Sequence, residues 1–390
     1  MATSNLLHTT SQRPKLRAVQ TSPGVAAQAP VRSDGLIANL GPNWFASVMG
    51  TGIIANAAAL LPVHVPALIT FAEAVWVLAA TWLIVLLALT AAHWRRHPDV
   101  ARSHMSDPAM APFYGAPAMA LLTVGAGSLL VGHHLIGMPA ALAIAFTLWT
   151  VGTIGGLLTS ALVPYLLFTR HEVAVDTTFA TWLMPIVPPM VSAATGAGLI
   201  THLPAGQARE LMLLACYAMF GLSLLTSLIT ITLVWARLAY EKTGPSAMTP
   251  TLFIVLGPLG QSITAVCLLG KAAPGAIVAP YAQGFHVLGV VYGAPVLGFA
   301  LLWLLIATAL VIRAAREHLP FSLTWWSFTF PVGTLVTGTA TLAAATGLDA
   351  LKVLSVALFI ALLAAWATAA TRTLHGTLRT GELVKAPAAA

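Results

Sequence analysis

Residues 67–92 read ALITFAEAVWVLAATWLIVLLALTAA, a run whose only ionisable side chain is Glu73. A helix needs roughly 20 consecutive apolar residues to cross the hydrocarbon core of a bilayer, and this run exceeds that length. Working outward, comparable runs lie near 42–61, 112–136, 139–168, 178–201, 209–236, 249–270, 281–312, 322–346 and 351–371, which makes ten candidate spans. Their continuous length excludes a membrane β-barrel, whose strands are alternations of about ten residues. Composition agrees: of 390 residues, 58% are hydrophobic and 7% charged, against roughly 25% charged in a soluble domain. The expected fold class is an all-α integral membrane protein.

Residues 1–35 are polar, carry Arg13, Lys15, Arg17 and Arg32, and lack the apolar core of a signal peptide. They read as a disordered cytoplasmic N-tail. Residues 36–371 read as one ten-helix domain and 372–390 as a cytoplasmic C-tail. Fifteen Lys and Arg fall on the side that holds both termini; the other side has Arg209, Lys271 and Lys352 only. This asymmetry places both termini in the cytoplasm of a multi-pass protein of the inner (plasma) membrane. The net charge of +7 is thus a topology signal, and no nucleic-acid partner is expected; the lipid bilayer is. Cys216 and Cys267 lie inside apolar runs and form no disulfide framework.

The odd-numbered spans begin near 42, 112, 178, 249 and 322, a period near 70 that marks a repeated helical hairpin. Each is interrupted: Gly50 and Gly52; Gly115 and Pro117; Pro185, Pro188 and Pro189; Gly257, Pro258 and Gly260; Pro331 and Gly333. Proline removes a backbone donor and bends a helix. Broken backbone at membrane depth is tolerated where protein or a water-filled cavity surrounds it. The expectation is five hairpins, with an inner ring of five kinked helices forming a pore. The alternative is that Gly and Pro are simply commoner in membrane helices. The expected lining is Gly50, Thr51, Gly52, Pro117, Pro188, Gly257, Gln261, Ser262, Pro331 and Thr334. None of the odd spans contains Asp, Glu, Lys or Arg, so any path has a neutral wall: Ser47 and Thr51; Thr123 and Ser128; Ser192 and Thr195; Gln261, Ser262 and Thr264; Ser327, Thr329, Thr334 and Thr337. An uncharged wall suits rapid passage of a weakly held ion, because conduction requires that the ion can leave.

Glu73 is the one carboxylate clearly inside a span, and His286 lies in the first turns of span 8. Either could serve proton coupling; the other reading is a group satisfied near the interface. His133 and His134 close span 3. His171-Glu172 has no second His at zinc-protease spacing, and no GxSxG or CxxC occurs. No catalytic residue, metal or cofactor is expected. Gly152…Gly156 and Gly289…Gly293 are spaced for close helix packing. Basic residues in His93-Trp94-Arg95-Arg96-His97 either orient the chain or draw anions to the inner mouth. In Trp325-Trp326-Ser327-Phe328-Thr329-Phe330-Pro331 a Phe immediately precedes a break. Such a ring either plugs a conduit or is ordinary packing.

Pro42-Asn43-Trp44-Phe45 with Met49-Gly50-Thr51-Gly52, Gly257-Pro258-Leu259-Gly260-Gln261 and the span 9 aromatic run together resemble the tellurite-resistance/dicarboxylate transporter family. That family includes TehA-like proteins, yeast malate permease, fungal sulfite efflux pumps and the plant slow anion channel. The resemblance spans all ten runs. It implies ten helices in five hairpins, a five-helix pore, a homotrimer, and a Phe that occludes the pore: Phe330 by the motif, with Phe328 as alternative. It also implies transport of small anions but not which one, because members differ in substrate; malate-type C4-dicarboxylates are the first expected substrate. Sulfite efflux and proton-coupled symport through Glu73 are the alternatives.

Overall fold

The computed structural model describes residues 35–63, 65–379, 381 and 383. The expected disorder of residues 1–34 and of the extreme C-terminus lies outside them. In chain order the helices are α1 (Phe45–Leu60), α2 (Pro66–Arg96), α3 (Pro98–Ser106), α4 (Gly115–Gly127), α5 (His133–Ile136) and α6 (Met138–Thr169). They continue with α7 (Pro188–Ile200), α8 (Gln207–Glu241), α9 (Leu256–Ala272), α10 (Tyr281–Arg316), α11 (Phe330–Thr346) and α12 (Asp349–Leu378). No strand occurs among the described residues. The last helix runs past residue 371 to Leu378.

Eight helical segments, not ten, are long and apolar enough to cross a membrane among the described residues. The helices that fall short are α1, with 16 residues, and α7, with 13. Both are almost wholly buried in protein. A helix shielded from lipid need not be apolar all round or unbroken, because its neighbours satisfy what hydrocarbon cannot. The chain is thus a multi-pass membrane protein whose helices fall into two classes. The most apolar stretches of α2, α6, α8, α10 and α12 are only 22–33% buried, whereas those of Ser246–Gly275 and Leu323–Thr346 are 94% and 83% buried. The first set carries the lipid-facing surface; the second, with α1, α4 and α7, is wrapped by it.

Packing follows the repeat. Each shielded helix pairs with the long helix after it: α1 with α2, α4 with α6, α7 with α8, α9 with α10, and α11 with α12. Among themselves, α1 packs on α4, α4 on α7, α7 on α9, α9 on α11, and α11 on α1.

The expected mid-span kinks take another form. Every shielded helix is entered through a 3-10 segment: Pro42–Trp44, Ala111–Tyr114, Ala180–Leu183, Ser246–Val255 and Leu323–Phe328. Pro188 is then the first residue of α7, Pro331 the second of α11, and Pro117 and Pro258 the third of α4 and α9. Amides in the first turn of a helix have no intrahelical acceptor, so proline costs nothing there. The prolines mark junctions between two helix types, not bends in one. Span 3 has a second irregularity, a π turn at Ser128–Gly132.

Glycines set the closest approaches. A methyl added at Gly338 would lie 2.6 Å from the carbonyl oxygen of Gly260, and one at Gly260 would collide with the backbone of Thr334 and Leu335. Helices α9 and α11 therefore touch backbone to backbone, the geometry small residues permit in membranes. The two GxxxG pairs act likewise: a methyl at Gly156 would fall 2.7 Å from Pro188 Cβ, and one at Gly293 would fall 3.0 Å from Leu342.

Gly260→Ala should therefore lower stability by about 1–3 kcal/mol, the usual range for overpacking. Gly257→Ala, with nothing within 4 Å of the added methyl, should not. Thermal unfolding of the two variants in detergent checks the difference.

Candidate functional site

Two cavities are each lined from all five shielded helices or the segments leading into them. The wider holds about 350 Å³. Its polar wall comes from Asn56 on α1, Thr195 on α7, Gln261 and Thr264 on α9, and Thr337 on α11. It extends to the C-terminal ends of these helices, where Leu60, Thr201 and Lys271 border it. The narrower cavity holds about 30 Å³, near the N-terminal ends. Met49, Met119, Met184, Ile254 and Phe330 line it. That volume suits roughly one or two water molecules, and its apolar wall gives them few partners.

Local chemistry builds the wider wall. Thr264 and Thr337 hydroxyls meet at 2.8 Å across the α9–α11 contact, and Thr195 donates to Val191 O at 2.8 Å within its own turn. Asn56 Nδ2 donates to Thr123 O at 3.1 Å, and Trp76 Nε1 to Val124 O at 3.1 Å. These two side chains cap carbonyls just before the π turn, where the regular helical pattern is interrupted. The acceptor oxygens of Asn56 and Gln261 are buried without a partner.

Among the described residues, Lys271 is the only charged one bordering either cavity. It is exposed and makes no ion pair among the described residues. The sequence places it in an outer connection, beyond an uncharged span. The structure corrects this: α9 runs on to Ala272, and its last turn carries the ammonium group to the cavity mouth. Arg209 ties that rim together. Its guanidinium donates to Leu203 O at 2.8 Å, Thr201 O at 3.0 Å and Gly275 O at 3.2 Å.

Of the residues expected to line a path, Thr195, Gln261, Thr264 and Thr337 border the wide cavity, and Gly257, Ser327, Phe330 and Pro331 border the narrow one. The others border neither cavity, and helix packing accounts for most of them. Gly50 abuts Trp326 and Thr329, Gly52 abuts Thr123, and Pro188 abuts Gly156. Thr51 accepts from Trp366 Nε1 at 3.0 Å, Ser262 donates to Leu259 O at 2.8 Å, and Thr334 donates to Pro331 O at 2.7 Å. Pro117 is half-buried in the first turn of α4.

Of the two aromatic candidates, Phe330 is 3% exposed, at the narrow cavity. Phe328 packs edge-on against Phe253 at 4.9 Å, off the cavity lining. Glu73 is held by His134 Nδ1 at 2.9 Å, away from both cavities, and His286 is exposed on α10. Sequence reasoning missed Asn56, Lys271 and the methionines. Only Asn56 left a usable signal, as a lone amide in an otherwise apolar run.

Long lipid-facing helices around a shielded, partly polar cavity define a membrane protein of the transporter or channel class. The sequence profile of the family described as "Voltage-dependent anion channel" matches residues 39–374, and the chain belongs to that family. A sulfite efflux pump of Trichophyton rubrum is 30% identical over 78% of this chain and 81% of its own length. An uncharacterized transporter of Methanocaldococcus jannaschii is 29% identical over 77% and 83%. A putative malic acid transport protein of Schizosaccharomyces pombe is 24% identical over 61% and 54%.

Cysteine substitution tests whether water reaches the wide cavity and not the narrow one. The native Cys216 and Cys267 are buried, so background labelling is low. Thr195→Cys should react readily with a charged thiol reagent, and Met119→Cys, at a position 1% exposed, much more slowly.

Proposed function

We propose that this protein conducts small anions across the membrane through a path between the five shielded helices, running from the wide cavity past Phe330. The observation that carries this reading is the wide cavity itself: five helices contribute to it, its wall sets uncharged Asn, Gln and Thr side chains among apolar ones such as Ile53, Leu129 and Leu268, and one unpaired ammonium sits at its mouth. A cation there raises the local anion concentration without gripping an ion along the path. The cyclic packing order of the shielded helices and the five repeated 3-10 entries support a ring of five hairpins. Phe330 is the gate in this reading, because its ring stands at the narrow, apolar end of the space between the shielded helices.

Sulfite and related small oxyanions become the leading substrates. This reverses the order expected from sequence, which put malate-type dicarboxylates first. Relatives named for sulfite efflux cover about four-fifths of this chain at 29–30% identity, while the malic acid relative covers 61% at 24%. Malate remains the second reading, since a cavity of about 350 Å³ can also hold a C4-dicarboxylate. Proton coupling through Glu73 is less well supported: its partner is His134, and neither lines a cavity. Glu73→Gln should leave any pH-driven uptake intact. The charge asymmetry supports cytoplasmic termini in the plasma membrane, and the family resemblance supports a homotrimer.

The experiment is anion flux into proteoliposomes with sulfite, malate, succinate, nitrate and chloride. Phe330→Ala should raise flux on the order of tenfold, equivalent to removing about 1.4 kcal/mol of barrier; Phe328→Ala should not. Equal flux in wild type and both variants would remove the gate assignment. Lys271→Gln should lower flux a few-fold at low ionic strength, with the difference fading near 1 M salt as the charge is screened.

A further inference from the structure

Away from the cavities, a groove of about 440 Å³ opens between α8 and α10 on the lipid-facing side. Lys242 and Arg313 stand at its rim. Trp235, Trp303 and Ile306 lie deeper, one to three helical turns further from the charged end. At 1.5 Å per residue, the span from Lys242 to Trp235 is about 10 Å, and from Arg313 to Trp303 about 15 Å. The groove thus has a cationic head and an apolar body on the scale of a lipid headgroup and upper acyl chain.

Its parts are fixed. Trp303 is 1% exposed and its indole donates to Leu252 O at 2.8 Å. Trp235 lies against it, with ring centroids 5.9 Å apart, and is itself 47% exposed. The buried Arg237 donates from Nη1 to Lys242 O at 3.2 Å and lies over the Phe179 ring, pinning the turn that carries Lys242. The rim cations are lightly engaged. Lys242 Nζ donates to Ala239 O at 3.0 Å, and Arg313 Nε meets Glu317 at 3.5 Å in an exposed pair, an arrangement worth little in water. Most of their donor capacity is left over.

A second groove supplies the contrast. Between α6 and α8, a groove of about 240 Å³ is lined by Pro164, Leu167, Phe168 and Ile229, among others, with His171 and, among the described residues, no Lys or Arg. Two grooves flank the same helix, and only one has a cationic rim.

We propose that the α8–α10 groove binds an anionic phospholipid, with its phosphate held by Lys242 and Arg313 and its upper acyl chain laid along Leu238, Ile306 and Leu310. Basic groups at a membrane surface each favour an anionic headgroup. Tryptophan at that depth suits the glycerol level of a bilayer.

Native mass spectrometry of the full chain, released from bilayers of equal phosphatidylglycerol and phosphatidylcholine, tests this. Wild type should retain phosphatidylglycerol over phosphatidylcholine on the order of tenfold, and Lys242→Gln with Arg313→Gln should abolish that preference. Lys242→Arg with Arg313→Lys should keep it, which separates charge from misfolding. A photo-crosslinker at Leu238 should capture phosphatidylglycerol preferentially, while one at Ile229 in the uncharged groove should not discriminate. Equal retention of both lipids by wild type, or an unchanged preference in the Gln variant, overturns the proposal. So does a Leu238 crosslink to a second copy of the chain in place of lipid.

Discussion

Hydrocarbon offers no hydrogen-bond partner to an amide, and every other feature of this molecule answers to that constraint. The long helices α2, α6, α8, α10 and α12 satisfy their own backbones and can face lipid. The five they wrap do not have to, and these hold the 3-10 entries, the π turn and most of the buried polar side chains. Irregularity and polarity are confined to the same shielded set because both need the same protection. Trp76 and Asn56 illustrate the cost of irregularity: each spends its donor on a carbonyl beside the π turn.

Close packing then decides what lies between the shielded helices. The backbone contact of α9 with α11 at Gly260 and Gly338 leaves no space for a conduit between those two, so cavity volume is found inward of all five. Toward the N-terminal ends, bulky Met and Phe side chains fill that space. Toward the C-terminal ends, Thr, Asn and Gln leave it open. The asymmetry comes from side-chain size and polarity on helices whose backbone plan is repeated.

Much of the fold was legible in the sequence. Hydropathy located the long helices to within five residues at each end except the last, which runs seven residues further, and the period near 70 matched the pairing of short with long helices. The prolines were read as kinks because sequence gives their spacing but not where each helix begins; once α7 starts at Pro188, the missing amide is harmless. Helices α1 and α7 carry a weaker apolar signature than the long helices, since a shielded helix need not be apolar all round. The candidate site was less legible. Small and polar residues such as Thr51, Ser262 and Thr334 suit a pore wall and a tight helix contact equally well, and only the side each faces separates the two. Lys271 was read as a loop charge because α9 overruns its apolar run by two residues.

The triple grip of Arg209 has a mechanical meaning. One guanidinium joins the turn after α7 to the turn after α9 through three carbonyls, and so fastens two hairpins into a collar around the wide opening. A collar of that kind resists dilation. The 3-10 entries lie at the other end of the shielded helices, clear of that fastening.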